Sequence, residues 1–161
     1  MARIDIPDGD GGEEARVWSL RPEMAPGVGT MIDTAYHKSN LPAREREAAR
    51  MRIALLNGCQ ICQNYRAASF AEQGVTPELY AHVHEYRDRD DYTDREKLAI
   101  EFAERFALDH QAMDEELFTR LRSSFADDEI LDLTICCAVF LGLGRMLTVL
   151  GITAEFGPTH T

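Results

Sequence analysis

The sequence predicts an all-α protein, a multihelical bundle of six to seven helices over residues 16–161, behind a flexible segment at residues 1–15. Three observations carry that expectation. Beyond residue 15 apolar residues recur at helical spacing almost everywhere, and no run alternates as a strand would. Helix start and stop signals recur at intervals of one helix length. The chain has 161 residues, 45% of them hydrophobic, which is enough to bury one core, and it shows no internal repeat or linker.

The elements follow in order. The first residues, "MARIDIPDGDGGEEA", are rich in Gly, Asp and Glu and carry too little apolar surface to order themselves. "RPEMAPGVGTMIDTAYHKSN" reads as a helix that starts poorly among Pro and Gly and ends before Leu41-Pro42. "PAREREAARMRIALLNG" follows, with Pro42 at a permitted first-turn position and Asn57-Gly58 as the stop. "CQICQNYRAASFAEQG" restarts a helix that closes at Gly74. "TPELYAHVHEY" opens with Thr76 as cap and Pro77 in the first turn. In "TDREKLAIEFAERFALD", Thr93 and Glu96 have the spacing of a capping box. Two last helices are expected at 114–125, capped by Asp114, and at 127–150, capped by Asp127.

Charge and composition narrow the function classes. A formal charge of −11 and a pI near 4.8 argue against nucleic acid or an anionic membrane as partner, since both require clustered Lys and Arg. The N-terminal residues contain no apolar signal core, and four cysteines without one read as reduced cytoplasmic thiols. "LTICCAVFLGLGRMLTVLGI", residues 133–152, is as long as a bilayer span. It carries Arg145 and two glycines behind an acidic flank, so a helix buried within a bundle or an oligomer is expected instead, and no membrane partner.

The chemistry concentrates in "LLNGCQICQNYRAAS". Gly58 ends one helix, so Cys59 and Cys62 fall in the first turn of the next, on one face and close enough to bridge. First-turn N–H groups and the helix dipole favour thiolate there. Glu47, on the preceding helix, shares a stripe with Met51, Ala54 and Leu55, while Arg46, Arg50 and Arg52 are expected to point elsewhere. A carboxylate on an apolar stripe is a candidate acid/base group, because burial disfavours its charged form; a partly exposed Glu paired with a neighbouring Arg is the plainer alternative. The cysteines themselves allow three readings: a redox pair, two small buried hydrophobes, or half of a metal site. The metal reading lacks partners, since Cys136 and Cys137 are adjacent and diverge on a helix, where they read as core residues.

"LPAREREAARMRIALLNGCQICQNYRAASFAEQGV" resembles the core of the carboxymuconolactone decarboxylase and alkylhydroperoxidase D superfamily, whose pattern is Glu, eleven residues, CxxC, three residues, His. Glu47, Cys59 and Cys62 fall on the Glu and both Cys positions. The likeness extends through "RPEMAPG", "TDREKLAIEFAERFALD", "FADDEILDLT" and "LGRMLTVLGI", roughly residues 20–152. It implies an alkylhydroperoxidase D-like all-helical fold that assembles as trimers or hexamers, with no cofactor. It also implies a peroxidatic and resolving cysteine pair, a Glu–His proton relay, a small hydroperoxide substrate and a separate thiol reductant. The lactone-decarboxylase branch lacks the dithiol, so Cys59 and Cys62 point to the peroxidase-like branch.

The sequence departs from that pattern where the relay His should stand, at Arg66. An arginine does not give up its proton in a protein. It could stabilise thiolate, pair with Glu47, or simply extend to solvent. A replacement proton donor would have to come from His37 or Tyr65. The expected function is thus a thiol-dependent oxidoreductase of weakened or altered peroxidase activity, with Glu47, Cys59, Cys62 and Arg66 as its site. A non-redox, small-carboxylate-binding or structural oligomer of the same fold is the alternative, and lactone-decarboxylase chemistry comes after both.

Overall fold

The structure, a computed structural model, describes residues 2–153. Met1 and residues 154–161, which the sequence assigns to the ends of the N-terminal segment and the domain, lie outside the described residues. Among the described residues nine α-helices run in order: α1 Glu13–Arg16, α2 Ala25–His37, α3 Ala43–Asn57, α4 Gln60–Asn64, α5 Ala68–Ala71, α6 Pro77–Ala81, α7 Asp94–Leu108, α8 Glu115–Ser124 and α9 Asp127–Leu150. Short 3₁₀ turns occupy Val17–Leu20, Val83–Asp88 and His110–Ala112. Among the described residues there is no strand, as the periodicity predicts. Near the N-terminus, the Arg3 backbone N–H donates to the Leu150 carbonyl at 2.7 Å and its guanidinium to that of Val149 at 3.0 Å.

The organising element is α3, which packs against both α7 and α9. One of its faces sets Ala49 and Ile53 into a core with Leu98, Phe102, Leu121 and Leu133. The other sets Ala48 and Met51 against Phe70, Leu79, Val83 and Ile100. A helix with apolar clusters on two sides has little room for exposed charge, so Glu45, Arg46, Glu47 and Arg50 are all buried. Those that reach other elements tie them together: Arg95 of α7 donates to Glu45 of α3 at 3.0 Å and to Glu129 of α9 at 2.7 Å.

Most boundaries fall where the sequence places them. Thr93 and Glu96 form the capping box, and Asp114 accepts the Leu117 N–H at 2.9 Å. Three differ. Pro42 is the residue before α3 rather than its first turn. Ala126 stands at the cap of α9, its N–H donating to Glu129 at 2.9 Å, so Asp127 is the first helical residue. The expected helix over 59–74 is two short ones, broken where Tyr65 and Ala67 are extended. The break has a physical cause in two arginines. Arg50 donates to the Cys62 carbonyl at 2.6 Å and to that of Tyr65 at 3.3 Å, and Arg66 donates to those of Gln63 and Tyr65 at 2.7 Å each. These are acceptors that a continuous helix would pair with backbone N–H groups, so the side chains remove the incentive to continue.

The apolar last helix is only partly covered. Leu133, Cys136, Cys137, Val139 and Gly144 are buried, whereas Leu131 is 59% and Val149 56% exposed. Among the described residues it is the one helix long and apolar enough to cross a membrane. The single chain buries one of its faces and leaves the other bare, so the bundle by itself does not account for its composition.

Candidate active site

Gly58 creates the site's geometry. With φ +64° it closes α3 in the left-handed region, where a residue with a Cβ is strained. Its N–H bonds the Leu55 carbonyl and the Cys59 N–H that of Ala54, both at 3.1 Å, which turns the chain directly into Cys59. Cys59 caps α4, its sulfur accepting the Cys62 N–H at 3.3 Å. The two Cα atoms lie 5.3 Å apart and the sulfurs stand at disulfide distance. Because α4 is a single turn of five residues, its dipole contributes less than the sequence suggests, and the specific N–H contact is what remains.

The two sulfurs differ in access. Cys59 is 2% exposed. Cys62 lines a cavity of about 200 Å³, walled by α2, α3 and α9 with Tyr36, Ala54, Tyr65, Phe140 and Leu143 among its lining residues. A small molecule that enters meets Cys62, with Cys59 behind it.

Glu47 is fully buried (0%), and so is Arg50 (2%). The Arg50 Nε reaches both carboxylate oxygens, at 3.1 and 2.9 Å, and the Tyr80 hydroxyl donates to the second at 2.8 Å. Burial, followed by the neighbouring Glu47 charge, pushes the Tyr80 phenol up to about 12, so it stays protonated and donates. This corrects the expectation that Arg50 points away from Glu47. Three residues along a helix is the same face, and the guanidinium compensates the carboxylate. Arg50 also holds the Cys62 and Tyr65 carbonyls, so the link from Glu47 to the dithiol runs through it. Arg46 is likewise turned inward, over the Phe70 ring at 5.2 Å, while Arg52 bonds Glu104 at 2.5 Å.

Arg66 does not pair with Glu47, whose cation is Arg50. Its guanidinium stacks 3.8 Å from the centre of the Tyr80 ring, and its Nη1 is taken by two backbone carbonyls. Of the two proton donors the sequence offers, Tyr65 lines the cavity, whereas His37 turns to Asp33 at the surface, 3.0 Å from its carboxylate. The residue beside it, Tyr36, faces the cavity instead, its ring centre 5.3 Å from those of Tyr65 and Phe140. Burial pushes its phenol well above the usual range. Nothing in the spacing singles out Tyr36, because its approach to the dithiol depends on how α2 docks.

Gly144 is the other residue that the sequence conceals. A Cβ there would lie 2.9 Å from the Asn57 Nδ2 and 3.3 Å from the Cys62 sulfur. Asn57 in turn donates to the Phe140 and Leu141 carbonyls at 3.3 and 3.1 Å and accepts from Arg145 at 3.2 Å. The close approach of α9 to the dithiol therefore requires a glycine. Gly142, on another face of the same helix, has open space around its missing Cβ. Gly142→Ala is expected to stabilise by up to about 1 kcal/mol through helix propensity. Gly144→Ala should lose that gain and more, since overpacking costs about 1–3 kcal/mol. Thermal melts of both variants check this; a Gly144→Ala variant as stable as Gly142→Ala would contradict the packing.

Cys136 and Cys137 are core residues, as expected. Burial raises Cys136 to about 11 and pushes Cys137 well above the ordinary thiol range, so neither supplies thiolate near neutrality. Among the described residues no group of three or more His, Cys, Asp or Glu is placed to hold a metal ion.

Residues 22–105 match the model of the carboxymuconolactone decarboxylase family. An uncharacterized Bacillus subtilis protein, YdfG, is 26% identical over 117 residues, 70% of this chain and 80% of its own length. An uncharacterized Escherichia coli protein, YnjA, is 28% identical over 97 residues, 60% of this chain and 53% of its own. Among solved structures, an uncharacterized peroxidase-related protein from Silicibacter sp. TM1040 superposes with a TM-score of 0.81 at 18% identity, over 94% of this chain and 91% of that one. A second, from Ralstonia eutropha JMP134 and described as an alkylhydroperoxidase AhpD core, gives 0.75 at 21% identity, over 87% of this chain and 75% of that one. At these identities the structures establish a shared fold.

Proposed function

We propose that this chain, which belongs to the carboxymuconolactone decarboxylase family, is a thiol-dependent oxidoreductase that reduces hydroperoxides through Cys62 and Cys59. The observation that carries the reading is the asymmetric dithiol: one sulfur in the wall of an apolar cavity, its partner buried behind it at disulfide distance. The peroxidase-related description of two proteins with this fold points the same way.

In this reading the Cys62 thiolate attacks the terminal oxygen of a hydroperoxide. An S–O bond forms, the O–O bond breaks, and the alkoxide leaves as an alcohol after taking a proton. Cys62 is then a sulfenic acid. The Cys59 sulfur attacks it, the disulfide forms, and water departs with the Cys59 proton. A dithiol reductant from outside the chain returns two electrons and two protons. The proton for the alkoxide comes from the Tyr36 or Tyr65 hydroxyl, which line the cavity, because Arg66 cannot give one up. Glu47 acts at one remove, as the anion that fixes Arg50 and through it the Cys62 backbone.

The bare face of α9, with Leu131, Ile135 and Val149, together with the exposed Met24 and Met31, supports an oligomeric working state, for which the family resemblance suggests a trimer or hexamer. A dithiol cycle that depends on an outside reductant fits the cytoplasm, where thiols are kept reduced. Gel filtration should then give a mass several times 18.1 kDa, and a monomer would count against the assembly. The redox reading itself is tested by treating the fully reduced protein with cumene hydroperoxide. Two of the four thiols should disappear per peroxide consumed; no peroxide-dependent thiol loss would overturn it.

A further inference from the structure

Another cavity among the described residues has no part in that chemistry. It measures about 590 Å³, is walled by α3, α4, α5 and α6 and open to solvent on one side, and shares no lining residue with the cavity at Cys62. Its walls include Met51, Leu55, Phe70, Val75 and Tyr80, and the sole charged side chain among its lining residues is Arg66. The volume lies in the range of small-molecule sites, about 300–1,000 Å³, where the space at Cys62 is smaller.

We infer that this cavity is a second binding site, for a small organic monocarboxylate whose carboxylate meets Arg66 and whose apolar body lies along Met51, Leu55 and Val75. Arg66 is prepared for that role. Its Nη1 is committed to the Gln63 and Tyr65 carbonyls and its plane to the Tyr80 ring, so the side chain is held before any ligand arrives. The remaining edge, Nε and Nη2, has no acceptor among the described residues, and a guanidinium edge matches a carboxylate with two parallel hydrogen bonds. Arg44, Arg50, Arg52, Arg87, Arg95 and Arg120 each face a carboxylate, whereas Arg66, like Arg3, Arg16, Arg46 and Arg145, faces none among the described residues; of these five it is the one that lines this cavity. Partial desolvation lowers the guanidinium's affinity for its proton although the residue keeps contact with solvent, and an incoming anion opposes that shift.

One cation in an apolar cavity selects the ligand class. The Gln63 and Asn64 amides in the walls already donate to the Ala54 and Gln60 carbonyls, so a phosphate dianion would find a single cation and no second one, and a neutral hydroperoxide would leave the guanidinium edge unmet. An apolar acid satisfies both parts. The inference does not depend on the redox reading, so it is tested with the dithiol removed. Calorimetric titration of the Cys59→Ser, Cys62→Ser protein with acetate, butyrate and octanoate should show affinity rising with chain length, to a Kd of about 0.1–1 mM for octanoate. Adding Arg66→Gln should weaken octanoate roughly tenfold or more, and Arg66→Lys by an intermediate factor because the paired hydrogen bonds are lost. Octanol, which carries no charge, should bind equally with and without the Arg66→Gln substitution. Circular dichroism of each variant confirms that the fold is retained. Octanoate binding that is undetectable at about 10 mM ligand, or that is unchanged by Arg66→Gln, would overturn the assignment, as would an affinity that does not grow from acetate to octanoate.

Discussion

Replacing Arg50 by methionine is expected to destabilise the protein by about 3–5 kcal/mol, the usual cost of leaving a buried charge without its partner. Glu47 has no exposed surface, and with Arg50 gone only the Tyr80 hydroxyl would remain to it. The same substitution strands the Cys62 carbonyl, which accepts from Arg50 at 2.6 Å. Domains of this size are typically stable by about 5–15 kcal/mol, so such a loss is large enough to shift the urea midpoint plainly. Glu47→Leu combined with Arg50→Met should recover part of it, since an apolar pair of similar volume carries no stranded charge. The Cys62 carbonyl would still lack its donor, so the double variant should fold yet expose its dithiol to alkylation faster than the parent. A loss under about 1 kcal/mol for Arg50→Met would mean the pair is solvated and the buried arrangement is wrong.

The second large effect separates the two sulfurs. Cys62→Ser should reduce peroxide consumption to the uncatalysed rate, because the remaining sulfur is 2% exposed and stands behind the cavity wall. Cys59→Ser should instead consume one equivalent of peroxide and stop, with Cys62 held as a sulfenic acid that no neighbouring thiol can resolve. Cys136 and Cys137 act as internal controls, since burial keeps both as thiols near neutrality. Equal residual activity in the two single variants would remove the asymmetry from which the roles are drawn.

The helical architecture was legible because its signals are local. A capping box at Thr93 and a stop at Asn57-Gly58 act within one turn and need no knowledge of the rest of the chain. The dithiol was legible for the same reason. What the sequence hid is what depends on packing between elements. On sequence alone Arg50 is expected to point away from the Glu47 stripe; here α3 is covered on two sides and its charges turn inward. The break at residues 65–67 follows from Arg50 and Arg66 occupying carbonyls across the turn, which no propensity encodes. Tyr36 and Gly144 come to the dithiol from α2 and α9, distant in sequence, and only the docking of those helices brings them there.

The departure at Arg66 also changes meaning with the structure. In the sequence it stands where a relay histidine is expected, and so reads as a damaged site. In the fold it is fastened to Tyr80 and to its own turn, beside a cavity with no sulfur of the dithiol in its walls. The route for protons at Cys62 then passes to the tyrosines of the other cavity, and the arginine is left for a different ligand.

The most direct test of the central claim is a product-and-site balance on the anaerobically reduced wild-type protein given one equivalent of cumene hydroperoxide. Peptide mapping by mass spectrometry would locate the oxidised sulfurs while chromatography counts the alcohol. One cumyl alcohol is expected for each Cys59–Cys62 disulfide formed, with Cys136 and Cys137 still free thiols. Unreacted peroxide beside an intact dithiol, or oxidation found on other sulfurs, would contradict that claim.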